Sequence, residues 1–446
     1  RRVDSLTLVD EAQLPALLGV DPAPVEAIWP LTANQRALYL DALVRPDTLQ
    51  NSLGYGVELP VALDEARWRR ALEIVTAHYG VLRARLVDSP VSWTEPAYLV
   101  VARDGAVDYH YEDLSGAPPD AAGVSALIDA FIYQPYDVHG SALVRHGLIK
   151  LGPTRYLTLV AAHHSLADGV AVASVLPKVC AVYAALGRDQ TPALPADVFV
   201  DYVRADREAT DQRDTLSFWR EQLAGVGTLD VPGGAGDNAQ RVLRRQVLDD
   251  VHWAAIRRYC RERRITPALY FKCLYGLLLA RYGDGEDDFC VLEFAGGRPK
   301  GHAEAMGCYY QQLPYRFRRE QLAPQGRFSD LLATAREFQK AIRGQRALSV
   351  LAQSRLLVQG RVGFIYNYYD FLPQFEFEGA TVGIEGAVPA VERQIQFIPK
   401  VLGDRLQLNL QYPAGLFAET DFLDRLEALS RQIVAGTDRL ADLSIL

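Results

Sequence analysis

Apolar residues recur along this chain with two periods, 3.6 and 2, so the pattern predicts helices and strands interleaved from end to end. Leu31-Thr32-Ala33-Asn34-Gln35-Arg36 opens a helix with Thr32 at its N-cap. Trp68, Ala71, Leu72, Val75 and Tyr79 share one face of a second helix over about 64–79, closed by Gly80. Residues 81–87 switch to strand alternation, which puts Val81, Arg83 and Arg85 on one face. Residues 143–151 and 156–162 are strand-like on either side of Gly152-Pro153, the signature of a hairpin. An apolar helix over 170–186 follows; Pro177 would kink it and Gly187 stops it.

The second half repeats the mixture. Residues 187–196 contain Pro192 and Pro195 and read as a linker between lobes. A long amphipathic helix carries Phe199, Tyr202, Phe218 and Trp219, and the Gly-rich stretch 231–238 reads as a surface loop. Beyond it the pattern predicts a helix over 250–282, a strand over 288–295, a helix over 328–343 and a strand over 362–370. A strand over 405–412, alternating Leu406, Leu408 and Leu410, precedes a final helix over 419–435. Residues 1–27 are polar and weakly periodic, a surface linker. Since both halves mix helix and strand, the fold class is α/β (α+β) in two lobes, 28–186 and 187–446.

Charge and cysteines narrow the setting. A net charge of −8 with no basic run argues against a nucleic-acid partner or an anionic membrane face. Five cysteines without C-x-x-C spacing fit a reducing compartment, hence the cytoplasm. No unbroken apolar run reaches the roughly 18 residues of a membrane helix, so none is expected to span one. Arg1-Arg2-Val3-Asp4-Ser5 has neither an initiator methionine nor a signal-peptide core, so the chain is expected to be cut from something longer.

The chemistry concentrates at His163-His164-Ser165-Leu166-Ala167-Asp168-Gly169, at the end of the second hairpin strand. Consecutive strand residues face opposite ways, so the two histidines cannot easily share a metal ion, and no metal site is expected. One faces the interior and His164 is the candidate base, an imidazole mostly neutral at pH 7. Asp168 either orients that ring, as in a nucleophile triad, or pairs with an arginine to brace the turn; Arg83 is the candidate partner. Gly169 admits a sharp bend or a close ligand. Ser165 lies in no Gly-x-Ser-x-Gly elbow, and there is no phosphate-binding glycine loop.

These residues resemble the His-His-x-x-x-Asp-Gly signature of nonribosomal peptide synthetase condensation domains, in the chloramphenicol acetyltransferase-like superfamily. The likeness extends over nearly the whole chain. Residues 31–36 resemble the first block of that family and His78-Tyr79-Gly80-Val81-Leu82-Arg83 the second. Asp201-Tyr202 with Phe218-Trp219-Arg220-Glu221-Gln222-Leu223 resembles the fourth, and Gly297-Arg298 with Met306-Gly307-Cys308-Tyr309-Tyr310-Gln311-Gln312-Leu313-Pro314 the fifth. Phe364-Ile365-Tyr366-Asn367-Tyr368 and Leu440-Ala441-Asp442-Leu443 also fit. The segment from Leu6 to Leu31 resembles the linker from a preceding carrier domain.

The resemblance implies two lobes in a V-shaped pseudo-dimer around a central tunnel, with a floor loop near 295–303 and a latch near 370–392. It implies amide-bond formation by transfer of an acyl or peptidyl thioester from a donor carrier protein to the amine of an aminoacyl group on an acceptor carrier protein. His164 would be catalytic, with His163, Asp168, Gly169 and Arg83 as support. Arg298, Tyr309, Gln311, Tyr366 and Asn367 would contact the tunnel. No cofactor would be bound intrinsically; substrates would ride on the 4′-phosphopantetheine of carrier proteins. A neighbouring adenylation domain and a monomeric state are implied too. The sequence departs from the family at Ala171, where serine is common, at Gln311, where asparagine is frequent, and over 340–352, which lack a His-Gln-Asp-like block. The tyrosines at 309, 310, 366, 368 and 369 either line the tunnel or pack the core.

Three other functions fit the same motif. An ester-forming acyltransferase would use a free alcohol or a coenzyme A thioester, although the plant-type Asp-Phe-Gly-Trp-Gly block is absent. An epimerisation domain would continue differently from Val170-Ala171-Val172-Ala173. A non-catalytic recruitment platform would tend to lose the second histidine, which is retained here as His164.

Overall fold

A computed structural model describes residues 14–17, 19–21, 23–92, 95–139, 143–210, 213–231, 241–283, 288–342, 357, 363–385, 394–414, 416 and 422–444. The chain divides into two compact units. One comprises Arg1–Asp211, Gly296–Tyr310 and Phe371–Ala390; the other comprises Gln212–Ala295, Gln311–Asp370 and Val391–Leu446. A division at 186/187 in the sequence leaves 187–211, 296–310 and 371–390 with the second half, whereas their contacts put them in the first unit.

The first unit is built on a four-stranded sheet ordered Ser52–Leu59, Arg155–His163, Val144–Gly152, Asp108–Asp113. The hairpin is as the pattern predicts: Val144–Gly152 and Arg155–His163 pair antiparallel, with Gly152 opposite Arg155. The edge strand Asp108–Asp113 runs parallel to its neighbour. Arg155–His163 is buried on both faces because alternate side chains enter different clusters. Tyr156, Val160 and Ala162 join the main core with helix Gly169–Leu186, while Leu157 and Leu159 pack with Val124 of helix Ala121–Ile132. A strand covered on both sides reads as a continuous apolar run.

Helix Gly169–Leu186 is the apolar helix expected over 170–186. It is long and apolar enough, by length and composition, to cross a membrane, because its mean hydropathy tolerates Lys178. Its apolar side chains, including Val172, Leu176, Val179 and Val182, lie in the core of the first unit, against helix Glu65–His78 and strand Ser52–Leu59.

Other differences are local. The strand expected over 81–87 begins at Ala84, because Gly80–Arg83 forms a 3-10 turn. The end of the expected linker is a strand, Val25–Pro30, paired with Glu95–Ala102, which also pairs with Ala84–Ser92. The long amphipathic helix is two, Phe199–Thr210 and Arg213–Gln222. Within the first unit, hairpin Gln374–Phe377 and Ala380–Gly383 covers the core, with Phe377 against Trp68 and Tyr183.

The second unit carries a six-stranded sheet ordered Tyr310–Phe317, Phe289–Gly296, Gly363–Asn367, Gln394–Leu402, Arg405–Pro413, Arg241–Val247. The helix expected over 250–282 is split into Asp250–Arg263 and Pro267–Tyr282, because Arg264 adopts a left-handed conformation, φ 55°, and Thr266 caps the next helix. Pro267–Tyr282 is buried almost all round by Asp250–Arg263, Phe328–Ala341 and Phe422–Val434, as a helix without a polar face must be. The loop expected over 231–238, apart from Val231, the block 343–352 and the latch residues 386–392 lie outside the described residues.

Candidate active site

The strand Arg155–His163 delivers the motif. Its end is fixed from both neighbours: the His163 amide donates to Leu143 O at 2.8 Å and the His164 amide to Asn51 O at 2.8 Å. Opposite amide directions carry opposite side-chain directions, as the pleat requires. His163 is buried edge-on to Tyr136, with ring centroids 5.6 Å apart, and its Nδ1 lies 2.7 Å from Ser165 Oγ. Burial, then the neighbouring His164, pushes its pKa down to about 3, so it is neutral at pH 7.

His164 turns the other way and is only half-buried. Its ring lies against Tyr310, with centroids 4.5 Å apart and planes at 45°. Its Nδ1 has no hydrogen-bond partner of good geometry among the described residues. Burial pushes the imidazole below its ordinary pKa, while the carbonyls of His164 and Ala167 and the Asp168 carboxylate pull it back. The group is therefore neutral at pH 7 and free to accept a proton.

Asp168 is committed elsewhere. Its Oδ1 accepts from the Ala171 amide at 2.9 Å, capping helix Gly169–Leu186, and from Arg298 at 2.7 Å. Its Oδ2 accepts from Arg298 at 2.6 Å and from the Tyr309 amide at 2.9 Å. An ionised carboxylate offers about four acceptor sites, and these four bonds fill them, so no triad with His164 is formed. The Asp168 amide also donates to Gly307 O at 3.1 Å. Arg298 stacks over Tyr309, 4.6 Å from its centroid.

The expected Arg83–Asp168 pair is thus overturned: the partner is Arg298. Arg83 ends the 3-10 turn and reaches the three-stranded sheet instead. There it pairs with Glu26 at 2.9 Å and donates to the carbonyls of Thr76, Ala102 and Arg103. Gly169 leaves room for Phe371: a Cβ there would sit 3.3 Å from the Phe371 ring.

The structure brings His163, His164, Asp168, Gly169, Arg298 and Tyr309 together in the first unit. Tyr309 is fully buried against Phe199 and Tyr202, a core position. Gln311, Tyr366 and Asn367 belong to the second unit. Tyr366 is core there, its hydroxyl donating to Ala268 O at 2.5 Å, whereas Gln311 and Asn367 are half-buried strand residues.

Four supports went unassigned in the sequence. Gln35 closes a capping box with Thr32 and donates to Ser165 O at 2.7 Å, so one side chain ties the first helix to the motif turn. Asn34 donates to Tyr310 O at 2.8 Å. Tyr136 and the Asn51 carbonyl hold one histidine each. For Gln35 the S/T-x-x-Q spacing is a usable signal; Asn51 acts through its backbone and leaves none.

One group among the described residues has metal-ligand spacing, Asp249, His252 and Glu427. Arg431 already pairs with both carboxylates, so a guanidinium fills the cationic position.

The sequence matches a known family over most of the chain: the condensation domain model fits residues 25–348. The chain belongs to the condensation domain family. This condensation domain is 27% identical over 449 residues to AMB antimetabolite synthetase AmbE of Pseudomonas aeruginosa, covering 95% of the chain and 20% of that protein. It is 28% identical over 332 residues to a linear gramicidin synthase of Brevibacillus parabrevis, covering 71% of the chain and 6% of that protein. The chain therefore spans a fifth or less of these relatives. Its fold matches the starter condensation domain of rhizomide synthetase with a TM-score of 0.80 at 18% identity, over 94% of this chain and 98% of that one. The first condensation domain of the calcium-dependent antibiotic synthetase matches equally, TM-score 0.80 at 18% identity, over 95% and 100%. The fold is that of these condensation domains.

Proposed function

We propose that this condensation domain transfers an acyl or peptidyl group from a thioester on a donor carrier protein to the amine of an aminoacyl group on an acceptor carrier protein. The observation that carries the reading is the contrast at the motif turn: the His164 ring is half-buried and neutral, while His163 is buried and Asp168 has every lone pair in use. The amine nitrogen attacks the thioester carbonyl carbon and a C–N bond forms. His164 takes the proton that the nitrogen sheds. The tetrahedral intermediate collapses, the C–S bond breaks, and the thiolate leaves with that proton. A positioned base of this kind contributes about 10²–10⁴ in rate. Both substrates ride on phosphopantetheine arms. The partners are the two carrier proteins and a neighbouring adenylation domain, in the cytoplasm.

The test loads both carriers and follows chain transfer by intact-protein mass spectrometry. His164→Ala should lose transfer by at least a hundredfold at unchanged thermal stability. Equal transfer by wild type and variant would remove His164 from the chemistry.

A further inference from the structure

A catalytic imidazole must be held in one orientation, and in most sites a hydrogen bond to its second nitrogen does this. At His164 the carbonyls of His164 and Ala167 lie near the ring, but neither makes a hydrogen bond of good geometry that would fix it. Its Nδ1 is unpartnered among the described residues, Asp168 is saturated, and Ser165 Oγ goes to His163. What touches the ring is Tyr310, centroid to centroid 4.5 Å.

Tyr310 is itself anchored to the motif turn. It is buried, packed with Leu38 and Cys308. Its carbonyl accepts from Asn34 at 2.8 Å. Immediately before it, the Tyr309 amide donates to Asp168 Oδ2 at 2.9 Å and Gly307 O accepts from the Asp168 amide at 3.1 Å. The segment 307–310 and the turn 163–168 are therefore registered to each other by two bonds, and the Tyr310 ring is delivered against His164, tilted 45° to it.

We propose that Tyr310 is the positioning residue of His164, its tilted ring packing against the imidazole that receives the amine proton and limiting its rotation. The proposal rests on the catalytic reading of His164. The chemistry adds a second consequence. An aromatic face is electron-rich and favours a cation beside it, so the Tyr310 ring stabilises the imidazolium formed during transfer and opposes the effect of burial. The other groups facing His164 are His163, which stays neutral, and Asp168, whose charge is matched by Arg298.

Tyr310→Phe keeps the ring, and Tyr310→Leu and Tyr310→Met remove it at similar volume. With loaded carriers, Tyr310→Phe should keep kcat within about twofold, and either aliphatic variant should lower kcat about tenfold or more with KM for the carriers little changed. A loss of this contact should also move the acid limb of the kcat profile, and the NMR titration of the His164 ring, down by roughly half a pH unit. Having two aliphatic variants keeps the test intact if one does not fold. An aliphatic variant that folds with unchanged kcat and unchanged His164 titration overturns the proposal. So does a Tyr310→Phe variant as impaired as Tyr310→Leu, since the ring would then not be the operative feature. The NMR titration needs no turnover, so it reads the Tyr310 contact even where His164→Ala proves harmless and the catalytic reading alone falls.

Discussion

Arg298 grips Asp168 with two parallel bonds, 2.6 and 2.7 Å long, in a pair almost closed to solvent. A planar guanidinium matches a carboxylate in a way a single ammonium cannot. The pair does more than join two charges. Through Asp168 it caps helix Gly169–Leu186, and through the Tyr309 amide it clasps the segment beside His164. Removing one member of a buried pair leaves the other charge uncompensated. Arg298→Ala is therefore expected to destabilise the domain by about 3–5 kcal/mol in urea unfolding, and Arg298→Lys to recover only part of that. A loss under about 1 kcal/mol for Arg298→Ala would show the pair to be dispensable.

Arg83 makes the opposite prediction. Its bonds to Glu26 and to three carbonyls stitch the 3-10 turn to the neighbouring sheet and touch nothing in the motif. Arg83→Ala leaves two part-buried carbonyls, of Thr76 and Ala102, without this donor and should cost about 1 kcal/mol. Transfer per folded molecule should stay at the wild-type level. The double variant with Arg298→Ala should be additive within about 0.5 kcal/mol, as expected for separate networks. A rate loss in Arg83→Ala beyond its unfolded fraction would reconnect this arginine to the active site.

These two arginines mark how far the sequence could be read. Local signals carried well: the Thr32 cap, the hairpin at Gly152 and the motif turn depend on residues a few positions apart, and all three are in the structure. The pairing of Asp168 depends on residues 130 positions apart, and periodicity holds no information about which of many arginines arrives. Arg83 is suitably placed in sequence, just after a buried helix, yet a 3-10 turn at Gly80–Arg83 redirects its side chain. Strands such as Ser52–Leu59 are hidden for a related reason. Its Gly54 and Gly56 are required by close neighbours, the Val160 carbonyl and Ile128, and glycines in a run weaken a strand pattern. Tyr310 stands in the sequence as one tyrosine among several; its contact with His164 is a tertiary fact.

Gly307 provides a sharper test of the segment that carries Tyr310. Its φ of 142° lies where side chains are strained, and a Cβ would approach the Phe199 ring to 2.2 Å. Phe199 is fully buried and packs on Trp29, Tyr202 and Tyr309, so it has little room to yield. Gly307→Ala combines backbone strain with overpacking and should cost about 2–5 kcal/mol. Because Gly307 O accepts the Asp168 amide, the folded fraction should also show reduced transfer. Thermal unfolding and transfer assays on the same preparation separate the two effects; an unchanged melting temperature would contradict the packing described.

Two of the buried imidazoles contribute most clearly to the response to acid. His146 is held down to about 4 by burial alone, and His163 to about 3 by burial and then by His164. Both folded values lie below the ordinary value near 6.5, so the unfolded chain takes up protons that the folded one refuses. Stability is thus flat above pH 6.5 and falls as the pH drops from 6.5 towards 3. Between pH 7 and pH 5 the two groups together remove about 3–4 kcal/mol, which urea midpoints at the two values would register. His146→Gln should cut that pH-dependent loss by about half, whatever its effect on stability at pH 7. Stability that does not change over this range would mean that one or both rings reach solvent in the folded state. His164, the proposed base, also lies below its ordinary value because of burial. Transfer should therefore persist at pH 6.5 and decline reversibly only at more acid pH, and a rate that recovers fully on return to pH 7 distinguishes protonation of His164 from loss of the fold.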